Sequence, residues 1–367
     1  MSRIGVGIIG TGGIARAHVR GYASLADRCR IVAVADIDRD RAEQAAKEAG
    51  EDVAAFDDFQ HLLEREDVQL VSICTPPFVH AQIAIAALRA GKHVLVEKPM
   101  AASLAECDAM IEAAEESGKK LAVVFQNRWR QDWRMLKAVV DSGALGRMLL
   151  GKVDLLWYRG HKYYDVWWRG TWERECGGVT INHAVHNIDG FLWLMGEPES
   201  VYAEMDALDR AIEVEDFSTA IVRFKSGAVG QILSTVLAQQ NTDRVEVSGT
   251  RAGAGLPWSV SAVQQRDDGF PMDNPEVKAE VEAIAARVPA LEHKGHAAQI
   301  EDLLDAIEED RKPLVDGVEG RRAVELITGI YMSATLGARV GFPLDKASPF
   351  YTTDGLRSAV KRHGKGE

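Results

Sequence analysis

Cysteine is scarce and unpatterned in this sequence. Cys29, Cys74, Cys107 and Cys176 form no C-x-x-C pair, which excludes a disulfide framework and a zinc knuckle as organising devices. They read as small buried hydrophobes in a reducing cytoplasm. Long apolar runs are missing too, since nothing approaches the ~20 residues needed to cross a bilayer. The opening MSRIGVGIIG enters a strand pattern directly, without a leader-like apolar region or cleavage site. Positive charge is in deficit: 43 Lys and Arg stand against 55 Asp and Glu, a net charge of −12. With no basic run to offset that balance, neither nucleic acid nor an anionic membrane is an expected partner. Internal repeats and low-complexity segments are absent, and only the basic tail after Lys361 reads as frayed.

One local absence is more telling. In GGVTINHAVHNIDGFLWLMG, residues 177–196, no Lys, Arg or Glu occurs between positions 179 and 195. At 100° per residue, Ile181, Ala184, Ile188, Phe191 and Met195 make one apolar stripe, and His186 points away from it. Asn182 and Asp189 flank His186 one turn to either side, with His183 at the edge of that face. A solvated face favours long charged side chains. A polar face built from imidazoles, an amide, one carboxylate and Trp193 is expected to line a cavity.

What is present is ordinary globular composition, 46% hydrophobic and 27% charged, over 367 residues, long enough for two domains. An apolar strand at 4–9 runs into Gly10-Thr11-Gly12-Gly13-Ile14-Ala15, a G-x-G-x-x-A turn before a helical pattern. A second strand, 31–35, ends in Asp36, where a dinucleotide fold places the carboxylate for the adenosine ribose. Asp36 disfavours a 2′-phosphate, so NAD is preferred; Arg39 and Arg41 keep NADP open as the alternative. Helices at 39–49, 80–90 and 104–117 alternate with strands at 70–74, 93–96 and 121–125. That alternation predicts a parallel doubly wound sheet over residues 1–126. Ligands sit beyond the carboxyl ends of such strands. The cofactor set is therefore Gly10, Gly12, Gly13, Ile14, Ala15, Asp36, Thr75, Pro76, His80, Glu97 and Lys98.

Past Arg128 the alternation stops. Strands at 148–158, 200–206, 217–225, 229–237 and 244–249, with a Ser226-Gly227 turn, predict an antiparallel sheet. Helices follow at 275–287, 295–309 and 320–337. Residues 127–367 thus read as an α+β domain whose sheet has a face to bury, by pairing with another subunit. Between Trp157 and Trp172, seven of sixteen positions are aromatic. Trp168 and Arg169 in this stretch are candidate walls for a sugar ring.

Four segments together resemble the Gfo/Idh/MocA family: GTGGIA, CTPPFVHAQIAIAALRAGKHVLVEKPM, CGGVTINHAVHNIDGFLWLMG and GHAAQIEDLLDAIEEDRKPLVDGVEGRRAVELI. The likeness runs over about residues 4–345. It implies a Rossmann domain, an open-faced second sheet used for homodimer or homotetramer contacts, and redox chemistry on a sugar or cyclitol hydroxyl. The family's lysine falls on Lys98 and its histidine on His186. Members like inositol dehydrogenase carry Asp one turn before that histidine, whereas this chain has Asn182, as in sugar and nucleotide-sugar dehydrogenase variants.

The expected reaction is hydride transfer with loss of the hydroxyl proton. An imidazole titrating near neutral pH suits the base, so His186 takes the proton while Lys98 stabilises the developing negative charge. The proton roles of the two stay exchangeable. Asn182 and His183 contact neighbouring hydroxyls, Asp189 lies beside them, and His296 and Arg128 are weaker substrate contacts. No metal is expected. Two alternatives stand: a dinucleotide-binding sensor without turnover, and an NAD-dependent glycosidase of the same fold.

Overall fold

The computed structural model describes residues 3–363; Met1, Ser2 and the last four residues of the basic tail lie outside them. The first part alternates as the sequence pattern requires: β1 (Ile4–Ile9), α1 (Ala15–Ala23), β2 (Cys29–Ala35), α2 (Arg39–Ala49), β3 (Ala54–Phe56), α3 (Phe59–Leu63), β4 (Leu70–Ile73), α4 (His80–Arg89), β5 (His93–Val96), α5 (Leu104–Ser117) and β6 (Leu121–Val123). The helix starts are set by side-chain caps, with Asp38 accepting from Arg41 N and Ser103 from Glu106 N. β3 and α3 were not legible, because AAF and FQHLL are too short for either period to declare itself.

The strands form one parallel sheet in the order β3-β2-β1-β4-β5-β6. The order reverses between β1 and β4, the switch point where a doubly wound sheet opens a crevice at its carboxyl edge. Its strands are apolar almost throughout, as burial on both faces demands.

The rest of the chain gives α6 (Gln131–Asp141), β7 (Met148–Tyr158), α7 (Val179–Asn182), α8 (Val185–Met195), β8 (Pro198–Asp206), β9 (Phe217–Phe224), β10 (Val229–Thr235), β11 (Leu237–Gly249), β12 (Gly253–Leu256), β13 (Ser259–Ser261), β14 (Val263–Gln265), β15 (Pro271–Asp273), α9 (Pro275–Ala286), α10 (His296–Glu308), α11 (Gly317–Leu336), β16 (Val340–Gly341) and α12 (Thr353–Ala359). Eight strands make the second sheet, β13-β12-β11-β7-β10-β9-β8-β16, antiparallel except for the β7–β10 pair. β8 and β9 intervene in sequence between those two neighbours, so they meet without a hairpin. β11 is longer than its apolar pattern suggested: Gln239, Gln240 and Asn241 are exposed around a register shift, which erases the alternation.

The chain divides into two compact units. One comprises residues 1–126, 173–176 and 292–324; the other comprises 127–172, 177–291 and 325–367. α10 belongs to the first because Ile300, Leu303 and Leu304 join Ala15, Tyr22 and Leu25 in the core of the parallel sheet. In the second unit one sheet face is covered by α8, whose Phe191 packs on Phe224 of β9.

Candidate active site

β1 delivers the chain into the glycine turn. Gly10 has φ +86°, and a Cβ there would lie 2.8 Å from the backbone of Cys74 and Thr75. Only glycine lets the turn press against the end of β4. Cβ atoms placed on Gly12 and Gly13 would meet nothing within 4 Å, so the turn is open above them at the start of α1. Ile14 is exposed and Ala15 begins the helix. At the end of β2, Asp36 Oδ2 accepts from Thr11 N at 2.8 Å and Thr11 Oγ1 at 2.9 Å, and Oδ1 accepts from Asp38 N. Arg41 stands 3.3 Å from the same carboxylate. At the end of β4, Thr75 Oγ1 is buried without a hydrogen-bond partner among the described residues. An open glycine turn at a helix N-terminus, a carboxylate one strand over and an orphaned hydroxyl beside them fit a dinucleotide. Pro76, extended at ψ 150°, leads from Thr75 into α4.

Two expected cofactor residues make buried contacts within the protein. His80 places Nδ1 2.8 Å from Pro99 O and Nε2 2.8 Å from Thr75 O, between the segments that follow β4 and β5, and a neutral ring donates to one of the two. Burial pushes its imidazolium down, against the pull of those two carbonyls. Glu97 is buried and faces His18 and His296, with His18 Nε2 2.9 Å from Glu97 Oε1. His296, expected at the substrate, stands 3.5 Å from the same oxygen. Lys98 follows Glu97 and is half-buried.

The second unit carries the histidine helix, and the structure breaks it in two. α7 ends at Asn182, and α8 starts at Val185. From Val179 to Met195 every residue is buried except His186 and Trp193. The polar side is packed, not wet, which accounts for its lack of long charged side chains. Glu215 explains how the segment starts. Its Oε2 accepts from Gly178 N, its main-chain oxygen from Val179 N and its Oε1 from Thr180 N, three successive helix-start donors met by one residue. Tyr331 OH donates to the same Oε1. A Cβ on Gly178 would lie 1.8 Å from Glu215 O, so this docking needs glycine. Burial raises the Glu215 carboxyl, against those donors.

The polar residues of the helix then separate. Asp189 is held by Arg128, Nε–Oδ2 at 2.9 Å and Nη2–Oδ1 at 2.6 Å, with both side chains buried. Asp189 and Arg128, both expected at the substrate, thus neutralise each other as a bidentate pair. Asn182 Nδ2 donates to Gly177 O. His183 Nε2 is 3.0 Å from Tyr163 OH, and its ring meets Trp157 edge-on. The Arg169 guanidinium lies over Tyr163 at 3.9 Å and over Trp168 at 4.2 Å. His183, Tyr163, Trp157, Trp168 and Arg169 thus form one connected patch, joining the aromatic stretch to the helix.

His18, Tyr163 and Glu215 were missed in the sequence. His18 had a signal, an imidazole in the buried stripe of α1 with Ala15 and Tyr22. Glu215 had none, for a helix start capped from a distant strand leaves no local pattern.

Residues 4–125 match the oxidoreductase family with an NAD-binding Rossmann fold, and residues 133–254 match the GFO/IDH/MocA C-terminal domain. Inositol 2-dehydrogenase of Salmonella paratyphi B is 35% identical over 272 residues, covering 73% of this chain and 78% of the relative. The chain belongs to the Gfo/Idh/MocA family. As a Gfo/Idh/MocA protein it is an NAD-binding oxidoreductase. Myo-inositol 2-dehydrogenase of Thermotoga maritima, another relative, is 30% identical over 67% of this chain and 73% of its own length. Among solved structures, the WlbA dehydrogenase of Bordetella pertussis, in complex with NADH and UDP-GlcNAcA, superposes with a TM-score of 0.81. It is 30% identical and covers 94% of this chain and 100% of its own.

Proposed function

We propose that this chain oxidises a secondary hydroxyl of a sugar, cyclitol or sugar derivative, or reduces the matching ketone, with Lys98 and His186 as the groups on the reacting oxygen. One observation carries the reading: in a helix segment otherwise packed away, His186 is the titratable side chain left half-exposed. Bound NAD supplies the hydride acceptor. His186 takes the hydroxyl proton, and the Lys98 ammonium donates a hydrogen bond to the oxygen as negative charge develops there. Asn182 and the Trp168–Arg169 patch hold the remaining hydroxyls and ring faces. Asn182 in place of an aspartate, and the likeness to a nucleotide-sugar dehydrogenase, favour a sugar derivative over free inositol. A homodimer or homotetramer, formed on the open sheet face, is the expected assembly. The four free, buried cysteines and the acidic balance suit a cytoplasmic enzyme without nucleic-acid partners.

The test is NADH formation on a panel of myo-inositol, free aldoses and UDP-GlcNAcA, with NAD and NADP side by side. Lys98→Met and His186→Ala are each expected to lower kcat/KM by ~10²–10⁴-fold. Parent-like values in both would end the assignment. Dinucleotide binding without turnover of any polyol would favour the sensor, and glycoside cleavage without net NADH the glycosidase.

A further inference from the structure

The parallel-sheet unit contains a buried polar chain that the proposed chemistry does not use directly. Tyr22 OH lies 2.6 Å from Ser72 Oγ, which lies 3.2 Å from His18 Nδ1. His18 Nε2 is 2.9 Å from Glu97 Oε1, and Glu97 Oε2 accepts from the Lys98 main-chain N–H at 3.2 Å. His18 is 0% exposed and Glu97 5%. His18 Nε2–H donates to the carboxylate, while Ser72 Oγ stands between His18 Nδ1 and Tyr22 OH with a partner on each side. The 2.9 Å separation is that of a hydrogen bond, whereas ligands of one tetrahedral zinc, each at 2.0–2.1 Å, stand roughly 3.3 Å apart. On the other side of Lys98, Pro99 O lies 2.8 Å from His80 Nδ1. Both chain neighbours of Lys98 therefore face buried imidazoles.

We propose that His18 is a positioning residue: backed by Ser72 and Tyr22, it holds the Glu97 carboxylate beside Lys98, and with it the backbone from which Lys98 reaches. The role rests on the reading of Lys98 given above. Groups facing Glu97 are His18 from α1, Cys74 at the end of β4, His80 from α4, His296 from α10, and Lys98, its neighbour just past β5. Burial pushes the Glu97 carboxyl up, but the hydrogen bond from His18 and then the His296 ring 3.5 Å away outweigh it and hold it well below the usual carboxylate range. Removing the His18 donor leaves burial less opposed, so the carboxyl binds a proton at higher pH.

The experiment compares His18→Leu with His18→Gln, whose amide nitrogen and oxygen can replace Nε2–H and Nδ1. The Glu97 carboxyl carbon, assigned by its loss in Glu97→Gln, is titrated by ¹³C NMR; kcat and the Kd for NADH are measured alongside. His18→Leu is expected to move the Glu97 titration upward and lower kcat roughly 10–10²-fold with NADH affinity within about threefold, the cost of a displaced reacting group. His18→Gln is expected to restore both. If His18→Leu does not fold, Glu97→Gln is expected to show the same loss in kcat at unchanged NADH affinity. A Glu97 titration alike in the Leu and Gln variants, or kcat falling equally in both, overturns the role. Unchanged kinetics in His18→Leu beside an inactive Lys98→Met overturns positioning alone. An active Lys98→Met removes the reading of Lys98 and the positioning role with it.

Discussion

At the scale of single residues, Asp36 is the carboxylate on which cofactor choice turns. It is braced by Thr11 and Asp38, so it cannot swing aside from an incoming phosphate, while Arg41 waits 3.3 Å away. Asp36→Ser is expected to raise the ratio of NADP to NAD kcat/KM by roughly 10–10²-fold, the order of relieved like-charge juxtaposition. An unchanged ratio in steady-state assays would show that Asp36 does not read the ribose. Its place was legible because a strand end after G-x-G-x-x-A predicts it from spacing alone. Asp189 was not legible: helical angle put it beside His186, but only the packed structure brings Arg128, sixty-one positions earlier, onto its carboxylate.

At the scale of elements, the start of α7 depends on one distant side chain. Glu215→Gln places an amide N–H where a carboxylate oxygen met donors, and is expected to cost about 1–3 kcal/mol for the group left unsatisfied. Urea unfolding at pH 7 measures it, and a loss below ~0.5 kcal/mol, the range of ordinary surface changes, would remove Glu215 from this role. β5 carries the clearest acid-sensitive group. Burial, then Lys119 and Lys120, push His93 down to about 4, and its Nδ1 accepts from Lys120 N at 3.0 Å. Between pH 6.5 and about 4 the unfolded chain binds a proton that the native one refuses. Stability is therefore lost as pH falls through that window and is unaffected by His93 above it. The slope is at most about 1.4 kcal/mol per pH unit, less what solvent screens. His93→Asn, which keeps an acceptor, is expected to flatten it in unfolding curves from pH 4.5 to 7.5.

At the scale of the whole molecule, the second sheet has one face on α8 and the other open. Tyr202, Ile221 and Gln231 sit side by side on β8, β9 and β10, continuing to Lys152 on β7 and Glu246 on β11. Tyr202 is 42% exposed, Ile221 47% and Leu150, further along β7, 59%, an apolar group that a lone subunit leaves in water. Ile221→Glu is expected to shift the parent oligomer to monomer by light scattering; a parent already monomeric at micromolar concentration would refute the docking face.

The alternation of the longer strands and helices in the first unit, the glycine turn and the carboxylate at the end of β2 were legible in the sequence, because each depends on periodicity or spacing within one supersecondary unit. So was the oddity of residues 179–195, since composition reports burial wherever it falls. Tertiary structure alone decided which polar groups are spent on one another. Asp189 went to Arg128, Glu97 to His18, His183 to Tyr163 and Glu215 to a helix it does not adjoin. A hydrogen bond needs atoms within about 3 Å, and no period along a chain reports which distant residues come that close.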